Sequence, residues 1–283
     1  MNRMVQRAEP MEEARKAPEL VIFGDLGYDE LHAPKIDMKT QGGSAYYAAA
    51  GASRFSDRVE LLSIVGSDYD IGKLALLGVD MEGVQTSQGS SFLCVCKYAP
   101  DGYRRNIELF PGVREKFSVR MIPEHYLKSK YYYIATTDPK KQSDVASYIR
   151  SVVKDAVIGI DTVKEYLVNR HAEISAAMAI ADLLFFDMNE FGFIDKQLLE
   201  SKAFVYKLGR YGAVYSGKGT AFYAKAPSVK SVEKSGSGDI LGGAFMAQIA
   251  AGIAPKLALK NAVELASMSV TAFGIDHIIR NRT

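Results

Sequence analysis

Two cysteines among 283 residues provide no disulfide framework on which a fold could depend. Cys94 and Cys96 lie two apart in an apolar run; on a strand both would face the same side, and neighbours that close along a strand rarely pair. They read as reduced thiols, which makes the cytoplasm the expected location. No apolar stretch approaches the length of a membrane span and no signal peptide is visible, so no membrane partner is expected. Charge of one sign is also lacking: 35 Lys and Arg against 33 Asp and Glu leave a formal net charge of +2. Acids and bases are interspersed, which removes the polybasic surface that nucleic acid or lipid would need. What the chain does have is hydrophobic residue, 48% of the total, enough for one large α/β domain or two small ones. Residues 1–18 are charged and weakly apolar and read as a flexible N-terminal tail.

The chain is organised around Ser235, Gly236, Ser237, Gly238 and Asp239, a Gly-Ser loop that runs directly into an apolar helix pattern over residues 240–245. Such a loop offers backbone N–H groups that no bulky side chain shields, and the helix turns its positive end to the same spot. Together they make an anion site, with phosphate as the expected guest. A carboxylate at a phosphate site repels its ligand unless it acts on the acceptor, taking a proton from an attacking hydroxyl. Asp239 is therefore a candidate general base, although an aspartate at a helix start also serves the helix dipole.

Upstream, residues 19–23 form a buried-strand pattern ending at Gly24-Asp25-Leu26-Gly27-Tyr28-Asp29. Polar residues past a strand's carboxyl end sit where open α/β sheets bind ligands, so Asp29 is a candidate for a substrate hydroxyl; a turn aspartate fits the same pattern. After a polar connector, Gly42 and Gly43 open an Ala-rich helix, permitting close approach of a ligand or of a packed sheet. Residues 59–65 read as a second buried strand. Residues 90–98 and 103–109 flank Asp101-Gly102, a hairpin signal, and this hairpin interrupts the strand–helix rhythm as a flap. From Tyr131 the rhythm returns, with strands over 131–135, 156–160, 183–186 and 203–208 and helices over 141–153 and 169–181. That alternation predicts an α/β fold, a doubly wound, mostly parallel sheet with helices on both faces. Asp161, Asp187 and Gly209 close the last three strands along one sheet edge. Gly212 to Lys218 begins like a phosphate loop, but Gly219 follows the lysine where Ser or Thr is needed, and residues 216–219 read as a hairpin turn. Residues 256–273 form one Ala-rich helix or a closely joined pair, stopped by Gly274.

Over residues 20–279 these landmarks resemble the PfkB (ribokinase-like) family of carbohydrate and nucleoside kinases. The resemblance is carried by Gly24 to Asp29 (G-x-x-x-x-D), the Gly42-Gly43 helix opening, the hairpin, the Gly209-x-x-Gly212 turn and, most specifically, Gly236-Ser237-Gly238-Asp239. It implies a ribokinase-like domain over residues 19–283, with a small β lid formed by segments near 26–41 and 90–109. It also implies a phosphotransferase that uses ATP and Mg2+ on an alcohol group. Asp239 is then the catalytic base, and Gly236, Ser237 and Gly238 the anion hole for the transferring phosphoryl group. Asp29, Gly42, Gly43 and Tyr47 are implied on the substrate, and Asp187, Lys207, Gly209 and Gly212 on the nucleotide.

Departures from the family pattern matter as well. The N-x-x-E motif falls on Asp187 to Glu190: Glu190 matches its glutamate, acting on magnesium through water, while Asp187 replaces the asparagine. Lys207 replaces the usual threonine and either reaches a phosphate or lies in solvent. Tyr47 stands where ribokinase and nucleoside kinases typically carry asparagine. The Tyr46-Tyr47 pair looks more like inositol-kinase members, so the small-molecule substrate is a sugar, a polyol or a nucleoside, unless the rings only pack. Two lids pairing through a sheet edge would give a homodimer. Two other functions compete. One is a catalytically idle sugar-binding or regulatory protein on the same fold, suggested by Asp187 and Lys207. The other is a dinucleotide-binding oxidoreductase using the glycines at 236–243 as its cofactor loop.

Overall fold

Alternation along buried strands decides how the molecule is layered. In β1 (Leu20–Phe23), Leu20 and Ile22 belong to one apolar cluster and Val21 and Phe23 to another, the period of two that a strand imposes. The computed structural model describes residues 18–33, 36–98 and 104–280; the tail at 1–17 and the Asp101-Gly102 turn lie outside the described residues. Further strands in chain order are β2 (Gly27–Ala33), β3 (Ile36–Gly42), β4 (Val59–Gly66), β5 (Asp80–Ser87), β6 (Phe92–Tyr98), β7 (Arg104–Phe110) and β8 (Tyr131–Ile134). They are followed by β9 (Val157–Asp161), β10 (Leu183–Asp187), β11 (Ala203–Lys207), β12 (Gly212–Gly217) and β13 (Thr220–Lys225). The helices are α1 (Ser44–Ala52), α2 (Gly72–Ala75), α3 (Pro139–Val152), α4 (Lys164–Asn169), α5 (His171–Ile180), α6 (Lys196–Ser201), α7 (Ser237–Ala250), α8 (Pro255–Ser269) and α9 (Asp276–Arg280).

Nine strands form the main sheet in the order β13-β12-β11-β10-β9-β8-β1-β4-β5, all parallel except β12, which runs antiparallel to both β11 and β13. One face packs Leu20, Ile22, Tyr133, Phe185 and Val205 under α1, α7 and α8. The other packs Val21, Phe23, Tyr132, Ile134 and Phe186 under α3 and α5. This is the doubly wound α/β arrangement expected of the alternating pattern. β12 and β13 meet through Lys218 and Gly219, both at positive φ (50° and 72°), the two-residue turn that matches strand twist, and no phosphate loop forms there.

Residues 30–40 are polar enough to read as a connector, yet they form most of an antiparallel pair. On one side of β2 and β3, Asp37 lies 3.1 Å from His32 and Lys39 3.4 Å from Glu30, while Leu31 and Met38 pair on the other. Cross-strand charge pairs of this kind hold a strand whose outer face is wet, and they disguise it in sequence. With β6 and β7 these strands make a separate four-stranded sheet, β3-β2-β6-β7. Two helix expectations also shift: residues 169–181 are divided at Arg170, and α8 ends at Ser269, the chain then turning through Gly274 (φ 58°) into α9. Among the described residues no helix is long and apolar enough to cross a membrane.

Candidate active site

The carboxyl ends of β1, β9, β10 and β11 bring Asp25, Asp161, Asp187 and Lys207 to one edge of the main sheet, and α7 begins against that edge. Asp161 lies two residues past Gly159, which faces Met246 of α7, and Lys207 two past Val205, which packs in the α7 cluster. The pleat therefore sends both side chains toward the start of α7. There Lys207 Nζ donates to both oxygens of Asp161, at 2.8 and 2.7 Å. The same carboxylate accepts from the Tyr133 hydroxyl (2.8 Å) and the Thr162 N–H (2.8 Å). A Cβ placed on Gly238 would lie 3.4 Å from Lys207 Nζ, so the ammonium sits directly beneath the Gly-Ser loop. Of the two alternatives left by the sequence, solvation fails: the Lys207 side chain is 13% exposed. Burial works against its charge, but Asp161, with Glu190 and Asp239 beyond it, more than offsets this and the pKa goes up.

The loop is set by short local bonds. Ser235 donates its N–H to Glu233 Oε1 (2.6 Å), and Ser237 gives both its N–H (3.3 Å) and its Oγ (2.9 Å) to the Lys234 carbonyl. Gly236 caps α7 in the left-handed region (φ 70°), where a side chain would also collide with the Tyr47 ring. Among the described residues nothing accepts from the Gly238 N–H, which leaves it as a donor at the positive end of the helix. Asp239 stands in the first turn. Burial pushes its carboxyl up to about 8, and the nearby charge of Asp161 raises it further than Lys207 can lower it.

Across from the loop, the second sheet presents Asp29 from within β2 rather than from a turn. Tyr47 Oη donates to Asp29 Oδ2 (3.0 Å), and the Gly43 N–H bonds the same carboxylate. A side chain at Gly42 would collide with that carboxylate; Gly43, at φ 97°, lies against the Asp25 carbonyl. Burial raises Asp29 to about 7 despite the bonds from Tyr47 and Gly43, with Glu233 adding to the rise. The tyrosine pair divides its work: Tyr46 packs edge-on against Tyr47 (5.3 Å), while Tyr47 joins Asp29 to Gly236. Thr40, Asp29, Cys94 and Leu109 form one cross-strand row, with Cys94 Sγ 3.5 Å from Cys96 Sγ and no disulfide between them.

On the other side of Lys207, Asp187 caps its own turn, its Oδ1 accepting from Asn189 N–H (2.7 Å) and Glu190 N–H (3.2 Å). Glu190 Oε2 in turn accepts the Asp187 N–H (2.7 Å). Burial raises Glu190 to about 8, with Lys207 opposing and Asp187 and Asp161 reinforcing the shift. Gly209 (φ 56°) has open space around it, whereas at Gly212 (φ 112°) a side chain would collide with the Ala224 carbonyl, a demand of the β12–β13 hairpin itself. Among the described residues no three His, Cys, Asp or Glu side chains cluster closely enough to hold a metal by protein groups alone.

Asp29, Gly42, Gly43, Tyr47, Gly236, Ser237, Gly238, Asp239 and Lys207 thus lie together, with Asp187 and Glu190 beside them and Gly209 and Gly212 following β11. Asp161 and Tyr133, which support Lys207, carry no role in the sequence reading beyond a strand-end position. Residues 226–235 separate β13 from the loop, so the glycines at 236–243 do not follow a strand as a dinucleotide loop requires.

A doubly wound sheet with a Gly-Ser loop opening a helix at its carboxyl edge and a small second sheet facing it defines a ribokinase-like α/β protein. The chain belongs to the pfkB family of carbohydrate kinases, whose sequence profile matches residues 17–281. Among solved structures it is similar to a nucleoside kinase from Burkholderia thailandensis in complex with inosine (TM-score 0.80, 14% identity, 93% of this chain and 97% of that one). It is also similar to a candidate ribokinase II from E. coli in complex with ATP and Mg2+ (0.78, 19%, 94% and 100%). A third likeness is to ribokinase from Thermotoga maritima (0.72, 18%, 93% and 96%). At these identities the likeness establishes the fold. No curated protein sequence matches the chain.

Proposed function

We propose that the protein is an ATP- and Mg2+-dependent kinase that transfers the γ-phosphate to a hydroxyl of a small polyhydroxylated molecule: a sugar, an inositol-like polyol or a nucleoside. The observation that carries this reading is the position of Asp239, at the start of α7 beside the Gly238 N–H and the Lys207 ammonium, and facing Asp29. Asp29 and the Gly42-Gly43 turn hold the acceptor, with the second sheet as a lid that excludes water. Asp239 takes the proton from the acceptor hydroxyl as its oxygen bonds the γ-phosphorus and the bond to the leaving ADP oxygen breaks. The loop N–H groups, the helix end and Lys207 hold the charge on the transferring group. Asp187 and Glu190, both hard oxygen donors, suit Mg2+ held through water; the ion would neutralise part of the triphosphate charge. Family membership and the E. coli structure with ATP and Mg2+ support the donor; the Burkholderia structure with inosine supports an acceptor of this size.

The test is ADP release from Mg-ATP across myo-inositol, ribose, fructose, 2-keto-3-deoxygluconate, adenosine, inosine and cytidine. One strong responder is expected, and Asp239→Asn should cut its turnover by about 10²-fold or more while acceptor binding persists. Near wild-type turnover in that variant removes Asp239 as the base. Binding of a panel member with no ADP release replaces the kinase with the sugar-binding reading.

A further inference from the structure

A buried ion pair that the proposed reaction does not use lies where the lid joins the body. Asp25, 6% exposed, sits between β1 and β2, four residues before Asp29. Its Oδ2 accepts from Arg114 Nη1 (2.7 Å) and its Oδ1 from Thr137 Oγ1 (2.6 Å), at the end of β8. Its backbone forms the floor of the acceptor turn: the carbonyl accepts the Ala45 N–H (3.0 Å) and lies where a Gly43 side chain would be, and the N–H goes to Ser44 Oγ (3.2 Å).

Arg114 comes from the opposite end of the lid, just past β7. Its guanidinium lies 4.9 Å from the ring centre of Phe92, the first residue of β6, and interacts with the nearby Tyr166 hydroxyl on α4. The neighbouring backbone closes the same junction, since Val113 N–H donates to the Ser90 carbonyl (2.9 Å) just before β6. Ser91 Oγ accepts from the Gly66 N–H (2.9 Å) at the end of β4. One guanidinium therefore meets the segments that lead into β2, into β6 and out of β7, and through Asp25 and Tyr166 it ties them to β8 and α4.

We infer that Arg114 is a positioning residue for the acceptor half of the site: its pair with Asp25 fastens the roots of the lid to the carboxyl edge of the main sheet and so fixes where Asp29 and the Gly42-Gly43 turn stand. The inference rests on the kinase reading of that site. A buried ion pair is a poor source of net stability compared with apolar residues of similar volume, but it permits only one arrangement of its partners. Lid strands held at several roots by one charged fork keep a fixed registry with the sheet, and an acceptor misplaced by about 1 Å can lose about 10² in rate.

The test separates positioning from folding. Arg114→Met and Asp25→Asn each strand a buried charge and should lower Tm. The double variant, Asp25→Asn with Arg114→Met, is neutral on both sides and should recover most of that loss. In the double variant, amide exchange over 27–33, 36–42 and 92–98 should rise about tenfold or more relative to wild type, while β9 to β11 keep their protection. With the responding acceptor of the panel above, its KM should rise about tenfold or more and the KM for ATP stay within about twofold. Arg114→Lys, which keeps the charge and loses the planar fork, should fall between wild type and the double variant and provides the same readouts should the double variant prove unstable. Wild-type exchange in the lid strands together with an unchanged acceptor KM overturns the inference and leaves the pair as a folding contact. Exchange needs no acceptor, so a silent panel sinks the kinase reading while the role of Arg114 is still decided.

Discussion

Asp239 has surroundings that resist its ionisation, which suits a group meant to receive a proton. With its carboxyl pushed up to about 8, the free protein carries a growing fraction of the base form between pH 6 and 8. The kcat/KM for the acceptor should rise with pH across that range and level off near 8; a profile flat from pH 6 to 9 would contradict the base assignment. Stability moves the other way. The folded value lies above the ordinary 3.8, so the folded state holds the proton longer, and this contribution is complete below about pH 4 and lost as pH rises through about 8. Asp239→Asn should therefore raise Tm at pH 8 and leave it nearly unchanged at pH 4. Lys207 offers a second test. Lys207→Met strands the Asp161 carboxylate in the interior and should cost about 3 kcal/mol or more in urea unfolding, whereas adding Asp161→Asn should recover stability without recovering turnover. That Gly236 to Asp239 open a helix was legible because small residues followed by an acid mark a helix start. The Asp161–Lys207 pair was not: both residues end strands, but only the order β11-β10-β9 shows that the lysine reaches across β10 to its partner.

Among the elements, α1 and α7 are held closer than ordinary helices. Side chains at Gly51 and Gly243 would collide with the backbone carbonyls of Ile240 and Ala48, and backbone cannot yield as a flexible side chain can. Alanine normally stabilises a helix interior by about 1 kcal/mol relative to glycine. Gly243→Ala should do the reverse, destabilising by about 1–3 kcal/mol in urea unfolding, as overpacking does. The Ala-rich composition made α1 legible as a helix and an apolar run did the same for α7, but the glycines read as marking a close approach were Gly42 and Gly43, and nothing in the sequence pointed to Gly51 and Gly243 as the contact between the helices. In the residue pattern β2 and β3 stayed hidden for the opposite reason, and only the family resemblance placed a lid segment near 26–41. Their outer face is built of Glu30, His32, Asp37 and Lys39, so only Leu31 and Met38 signal a strand, too few to stand out from a polar loop.

At the scale of the whole molecule, strand–helix alternation was enough for the fold class, because each buried strand shows its two apolar faces directly in sequence. What alternation could not show is that a second sheet is assembled from segments far apart in the chain, β2 with β3 and β6 with β7, joined through the parallel pairing of β2 with β6. That sheet presents Leu31, Met38, Cys96 and Ile107 on the Asp29 side and ion pairs on the other. If two copies pair through their lids, sedimentation velocity should report twice the mass of one chain, and a single-chain mass at micromolar concentration removes that proposal.

If the protein transfers a phosphoryl group as proposed, the glycine contacts between α1 and α7 bear on the outcome of that reaction as well as on stability. Each helix starts at this group of residues, α1 beneath the Gly42-Gly43 turn and α7 at Gly236. Packed backbone against backbone at Gly51 and Gly243, they make the separation between the Gly42-Gly43 turn and the Gly236 loop a property of the body rather than of the second sheet. On the proposed kinase reading, a polyol with several similar hydroxyls would then meet a ruler of fixed length, and regiochemistry would belong to the two helices rather than to the second sheet.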